Sequence, residues 1–152
     1  MKIALGADHA GYELKAHLKT LLEKQGHEIL NQGTDSAEAV DYPDYAKKVA
    51  LAVAGGKAER GIMVCGSGVG ASVAVNKVPG ARGGLCHDTF SAHQGVEDDD
   101  VNILCLGARI IGASLAEEIV KVWLGARFSK LERHQRRLDK VIAIEKEFSR
   151  GK

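Results

Sequence analysis

Short apolar runs alternate with helical stripes along the whole chain. Ile3–Ala7 reads as a strand, and Leu14, Leu18, Leu21 and Leu22 then mark one helical face at i, i+4, i+7 and i+8. His27–Asn31 is a brief second strand closed by Gly33. Ala46, Val49, Ala50 and Val53 form a second stripe, with Pro43 in its first turn and Gly55-Gly56 at its end. Gly61–Cys65 is the third strand, apolar throughout as a buried parallel strand should be, and a helix from about Val69 to Asn76 follows it. Arg82–Cys86 reads as strand four and Thr89–Gln94 as a short helix. Asn102–Leu106 is strand five, followed by a helix with Leu115, Ala116, Ile119, Val120 and Trp123 on its face. A last helix runs from about Lys130 to Phe148, with Leu131, Leu138, Val141 and Ile142 aligned. Five strand–helix pairs in succession predict an α/β fold: a doubly wound, five-stranded parallel sheet of Rossmann-like type, with helices on both faces and a C-terminal helix. No repeat, linker or low-complexity tract interrupts residues 1–152, which are expected to form one domain.

Composition narrows the partners. Lys+Arg 21 against Asp+Glu 20 leaves a net charge of +1, which argues against a nucleic-acid or membrane-surface binder held by bulk charge. The three Phe and three Tyr are scattered, so no stacking platform for single strands is expected. Cys65, Cys86 and Cys105 form no C-x-x-C pair, which disfavours both a disulfide framework and a thiolate zinc site. An acid and a His within the first nine residues do not suit a signal peptide, and the apolar stretch around Ile103–Ile111 is cut by Arg109 and too short to span a bilayer. A cytoplasmic protein with reduced thiols is the expectation. Glycine is in surplus, 18 of 152, about 12% against a usual ~7%.

In an open α/β sheet, ligands bind beyond the carboxyl ends of the strands, so the chemistry belongs to the residues just after each strand. Cys65-Gly66-Ser67-Gly68-Val69-Gly70 is the strongest such signal. Three glycines between strand and helix leave backbone N–H groups bare for an anion, and a thiol at a helix start is favoured as the reactive thiolate. The same loop could also be a tight turn with Cys65 packed as a small apolar residue. Gly66-x-Gly68-x-x-Ala71 fits the relaxed dinucleotide fingerprint too, with Asp88 22 residues beyond Gly66 as the ribose acid. Against that stand its place on the third strand and the lack of residues for a second domain. Asp8-His9 brings a carboxylate and an imidazole to the same edge, where Asp8 could instead be a helix cap. Arg133 and Arg137 lie one turn apart on the last helix and can converge on one phosphate or simply face solvent, while Arg109 interrupts an apolar stretch.

Taken together, Asp8-His9-Ala10-Gly11, Asp41-Tyr42-Pro43-Asp44-Tyr45-Ala46, Cys65 to Gly70, Asn76-Lys77-Val78-Pro79-Gly80, Cys86-His87-Asp88, Asn102 to Gly107 and Arg133-His134-Gln135-Arg136-Arg137 resemble, in this order, the family of ribose-5-phosphate isomerase B and the galactose-6-phosphate isomerase subunits. The resemblance implies aldose–ketose isomerisation of a phosphorylated sugar through a cis-enediolate, with no metal and no cofactor. It makes Cys65 the base and Ser67 a hydrogen-bonding partner of the substrate. Gly66, Gly68 and Gly70 would offer N–H groups to the enediolate oxygen. Asp8, Asp41 and Tyr42 would meet substrate hydroxyls, and His9, Arg109, Arg133 and Arg137 the phosphate. Some members use a Glu base at the position of Ala71, which here leaves Cys65 alone. The family's site is shared between subunits, so a homodimer or tetramer with its site at the interface is implied.

One segment departs from the family pattern. Where the family usually reads Glu-His-Asn-Asp-Ala-Asn, this chain has Glu97-Asp98-Asp99-Asp100-Val101-Asn102. Asp98 stands where the family's ring-opening His would be, and Asp99 replaces an Asn that contacts substrate. Upstream, His93 occupies a position commonly held by Arg. Asp98 could carry the ring-opening proton, His93 could do so, or the substrate could need no ring opening, as with a tetrose 4-phosphate. The competing reading from another class is a non-catalytic sugar-phosphate or dinucleotide-binding module on the same fold.

Overall fold

The computed structural model describes residues 1–149. Its elements are β1 (Lys2–Ala7), α1 (Tyr12–Lys24), β2 (Glu28–Gly33), α2 (Tyr42–Ala54), β3 (Arg60–Cys65), α3 (Val69–Val75), β4 (Gly83–Leu85), α4 (Thr89–Asp99), β5 (Ile103–Gly107), α5 (Ala113–Gly125) and α6 (Glu132–Phe148). All strands are parallel, in the order β2-β1-β3-β5-β4. The central strand β3 is buried at every residue, whereas the edge strand β4 has only three residues and is partly exposed. A short edge limits the unpaired backbone that could recruit another sheet.

Alternation along the strands builds two cores. Ile3, Leu5, Ile62, Val64, Leu104 and Leu106 face one side, where Leu14 and Leu18 of α1, Val96 of α4 and Ile119 and Trp123 of α5 cover them. Ala4, Met63, Cys65, Ile103 and Cys105 face the other, under Val49 and Val53 of α2 and Val75 of α3. That is the doubly wound architecture which the strand–helix alternation predicts. Among the described residues, no helix is long and apolar enough to cross a membrane.

Several boundaries differ, each for a physical reason. β2 extends through Gly33, because Thr34 beyond it donates its N–H to Ala7 O at 2.8 Å and keeps the segment against β1. α4 runs past Gln94 to Asp99, so Gly95 lies inside a helix instead of ending one. Acids are disfavoured at a helix C-terminus, where the dipole is negative. Here Glu97 meets His93 (3.1 Å), Asp98 meets His134 (3.4 Å) and Asp100 meets Arg82 (2.8 Å), and these partners offset that cost. In α1, Lys15 is buried within the stripe while Leu21 is only half-buried. On α6 only His134 and Leu138 are buried; Leu131 and Val141, expected on its packed face, are exposed with Ile144 and Phe148.

Candidate active site

The chain leaves β1 toward β2 and returns on the other side of β1 as β3, so the sheet has its switch point between these two strands. A crevice opens there at the carboxyl ends. Asp8, Tyr42, Cys65, Gly66, Ser67, Gly70, Arg109 and Ile110 line a cleft of about 320 Å³. Five elements contribute: Asp8 follows β1, Tyr42 opens α2, Cys65 ends β3, Gly70 lies in the first turn of α3, and Arg109 follows β5.

The loop after β3 is shaped by its backbone. Gly68 has φ +79°, and a Cβ there would stand 2.5 Å from Leu85 Cδ1, so only glycine fits without strain. This turn aims the Gly68 N–H at Cys65 Sγ, 3.2 Å away. A Cβ on Gly70 would lie 2.7–3.0 Å from ring atoms of Tyr42, so the absent side chain lets Tyr42 lie against the first turn of α3. Ser67 Oγ accepts the Val69 N–H at 3.2 Å, which leaves its own O–H free to donate. β5 continues along the loop: Ala108 N–H donates to Cys65 O (2.9 Å) and Arg109 N–H to Gly66 O (3.0 Å), which places the Arg109 guanidinium beside Gly66.

Asp8 is buried, and its Oδ1 accepts the Gly11 N–H at 3.0 Å, the local turn that fixes its carboxylate at the cleft. His9 Nδ1 faces the N–H (3.1 Å) and the carbonyl (3.2 Å) of Val40, so either ring tautomer is tied to the loop before α2. Asp41 precedes Tyr42 at the start of α2 and makes no side-chain cap. His87, after β4, accepts the Gly107 N–H at 2.9 Å and so steadies the end of β5 beside Ser67. The two other cysteines are poor candidates for chemistry. Burial first, and the Asp88 charge second, push the Cys86 thiol up to about 11, and burial pushes Cys105 up further.

Not every expected residue comes to this cleft. α4 runs back to the amino end of β5, which carries Asp98 and Asp99 to the opposite edge of the sheet from Cys65. Asp98 accepts from Gln94 Nε2 (2.7 Å) and faces His134 Nε2 (3.4 Å); Asp99 is exposed. Arg133 and Arg137 are exposed on α6, and neither lines the cleft of its own chain. Asp88, the ribose acid of the dinucleotide alternative, instead caps α4 by accepting the Ser91 N–H at 2.6 Å. With β5 between β3 and β4, Asp88 follows a strand that is not a neighbour of β3, whereas the fingerprint draws its acid from the adjacent strand. Ile110 was not anticipated, since it reads as part of an apolar run. Among the described residues, no group of three or more His, Cys, Asp or Glu side chains is arranged to hold a metal ion.

Comparison with known proteins identifies the family and matches the fold. The family model described as Ribose/Galactose Isomerase matches residues 3–141. Ribose-5-phosphate isomerase B of Escherichia coli is 46% identical over 144 residues, 95% of this chain and 96% of that one. D-erythrulose-4-phosphate isomerase of Pectobacterium atrosepticum is 40% identical over 129 residues, 84% of this chain and 85% of that one. The solved structure of Clostridium thermocellum ribose-5-phosphate isomerase B superposes with a TM-score of 0.95 at 47% identity, covering 97% and 99% of the two chains.

Proposed function

The chain belongs to the ribose/galactose isomerase family, and on that premise we propose that it interconverts aldose and ketose phosphates with Cys65 as the base. The observation that carries the base assignment is the Gly68 N–H directed at Cys65 Sγ within a cleft that also holds Asp8, Tyr42 and Arg109. In the forward direction the Cys65 thiolate takes the proton from C2 of the open-chain aldose. The C1 carbonyl oxygen gains charge and then a proton, giving a cis-enediol. Returning a proton to C1 while the C2 hydroxyl loses its own leaves the ketose. The backbone N–H groups of Gly66 and Gly70, which neither Cys65 nor Ser67 engages, stabilise the enediolate oxygen where charge develops. Ser67 donates to the substrate, and Asp8, Asp41 and Tyr42 hold its hydroxyls. His9 and Arg109 meet the phosphate. All the proton traffic runs through side chains and backbone of this chain, and no cofactor is invoked.

In this reading a second copy of the chain completes the site in a homodimer or tetramer. Arg133 and Arg137 are exposed on α6 and do not line their own cleft, and the exposed apolar residues Leu131, Val141, Ile144 and Phe148 of the same segment give that helix a reason to be covered. The phosphate would then lie between Arg109 of one chain and these arginines of the other. The three cysteines are free, which fits a reducing cytoplasm.

A second reading concerns the sugar. Asp98 replaces the ring-opening His, and its carboxylate is already engaged by Gln94 and His134. That favours a substrate which needs no ring opening, such as a tetrose 4-phosphate, whose O4 is esterified. A panel of tetrose, pentose and hexose phosphates, read as kcat/KM, tests both readings. Turnover on none of them would sink the isomerase assignment. Preference for ribose 5-phosphate over every tetrose phosphate would sink the second reading alone.

A further inference from the structure

Lys15 occupies a position that the apolar stripe of α1 would give to an aliphatic residue. It lies beside Leu14 and before Leu18, and it is only 2% exposed. A buried ammonium is costly unless it is paired and fully hydrogen-bonded. Here its Nζ donates to Asn31 Oδ1 at 2.8 Å and to Asp35 Oδ1 at 3.0 Å. Asn31 closes the triangle, donating through Nδ2 to the same Asp35 oxygen at 2.8 Å and accepting the Gly33 N–H at 3.0 Å. Three side chains therefore meet where β2 ends and the loop of residues 34–41 begins.

The far end of that loop leads to Tyr42, which lines the cleft. Val40 is fastened to His9 Nδ1, Asp41 and Tyr42 come next, and Tyr42 lies against Gly70 in the first turn of α3. The loop is thus tied at its origin by Lys15 and at its end by the candidate phosphate and hydroxyl contacts. Packing alone gives no reason for a lysine here, whereas a connection between the α1 core and this loop does.

We propose that Lys15, acting through Asn31 and Asp35, is a positioning residue that holds the 34–41 loop so that His9, Asp41 and Tyr42 face the sugar phosphate. This rests on the isomerase reading of the cleft. Because the groups it places bind substrate without taking the C2 proton, its loss should weaken binding more than chemistry, raising KM and sparing kcat.

The test uses Lys15→Met, which keeps the length of the side chain, and Asp35→Ala. The Asp35 side chain is 73% exposed, so its removal does not disturb the core. Both variants should raise KM for the preferred sugar phosphate about tenfold with kcat within about twofold. Amide hydrogen exchange in residues 34–41 should quicken about tenfold, with β3 and β5 unchanged. Asp35→Asn, which keeps the accepting oxygen, should return KM to within about threefold of the starting protein. Unchanged KM and loop exchange in Asp35→Ala overturn the proposal. So does exchange that quickens evenly across the sheet in Lys15→Met, since that marks a purely structural lysine. If the unaltered protein turns over no sugar phosphate, the isomerase reading fails by itself. Loop exchange then decides the clamp, with loop-specific quickening supporting it and unchanged exchange overturning it.

Discussion

The loop after β3 and the acidic end of α4 are both unusual stretches of sequence, and they behave in opposite ways. The loop's peculiarity is local. Gly68 takes φ +79° and Gly70 lies under Tyr42, and the result is an N–H aimed at a sulfur three residues earlier. The acidic run, Glu97 to Asp100, owes its stability to partners elsewhere: Asp98 faces His134 of α6, and Asp100 pairs with Arg82 ahead of β4. A short-range backbone device can be read from residue types and spacing. A side-chain clasp between separate elements cannot, because its second half is set by how those elements pack.

Substitutions in the two regions should separate chemistry from clasp. Cys65→Ala should lower kcat on the best sugar phosphate by about 10²–10⁴-fold, the usual contribution of a positioned base, while far-ultraviolet circular dichroism stays unchanged. Substrate-dependent exchange of the C2 hydrogen with solvent should vanish with it; surviving exchange would assign the base elsewhere. Next in size, Arg137→Ala should raise KM by roughly 10–100-fold, as expected for one charge-assisted phosphate contact worth about 1.5–3 kcal/mol. Mixing inactive Cys65→Ala protein with inactive or weak Arg137→Ala protein should restore activity if a second copy supplies the arginine. No recovery would confine the site to one chain.

His134→Ala breaks the clasp instead. It strips the partner from Asp98 and from the Ser129 hydroxyl (2.6 Å), and should cost about 1–3 kcal/mol in denaturant unfolding. An unaltered midpoint would show the clasp to be idle. The smallest effect concerns pH. Cys86 is held as the neutral thiol by burial, so its contribution is fully present below pH 9.0, its ordinary value, and is lost as pH rises through about 11. Thermal scans between pH 8 and 11 should show this decline, and Cys86→Ala should lessen it, the remainder coming from the more deeply buried Cys105. On the acid side Asp35 is shifted the other way, held down by hydrogen bonds from Asn31 and then Lys15. Its contribution is present above about pH 3.8 and fades as pH falls through its lowered value, loosening the 34–41 loop first.

How much of this was legible follows the same division. Ile3–Ala7, Gly61–Cys65 and Asn102–Leu106 were readable as buried strands because short, nearly continuous apolar runs that pass into a polar residue or glycine have few other uses. Asp8, Tyr42, Cys65, Ser67 and Arg109 converge as expected, since strand ends in a parallel sheet must share one edge. Lys15 was invisible because a lysine in a helical stripe looks like a solvent-facing residue until β2 and Asp35 are seen against it. α4 read short because Gly95 and four acids resemble a helix end.

By itself, then, the chain's pattern determined the alternation of strands and helices, the two-sided cover of the sheet, and a bare-backbone loop beside a thiol, because period, turn chemistry and glycine placement act over a few residues. Tertiary structure alone decided two other matters. It sent Asp98 to the far edge, and it left Arg133 and Arg137 outside their own cleft. Those outcomes depend on the strand order and on which helix faces meet, and both are set by burial summed over the whole chain rather than by any one segment.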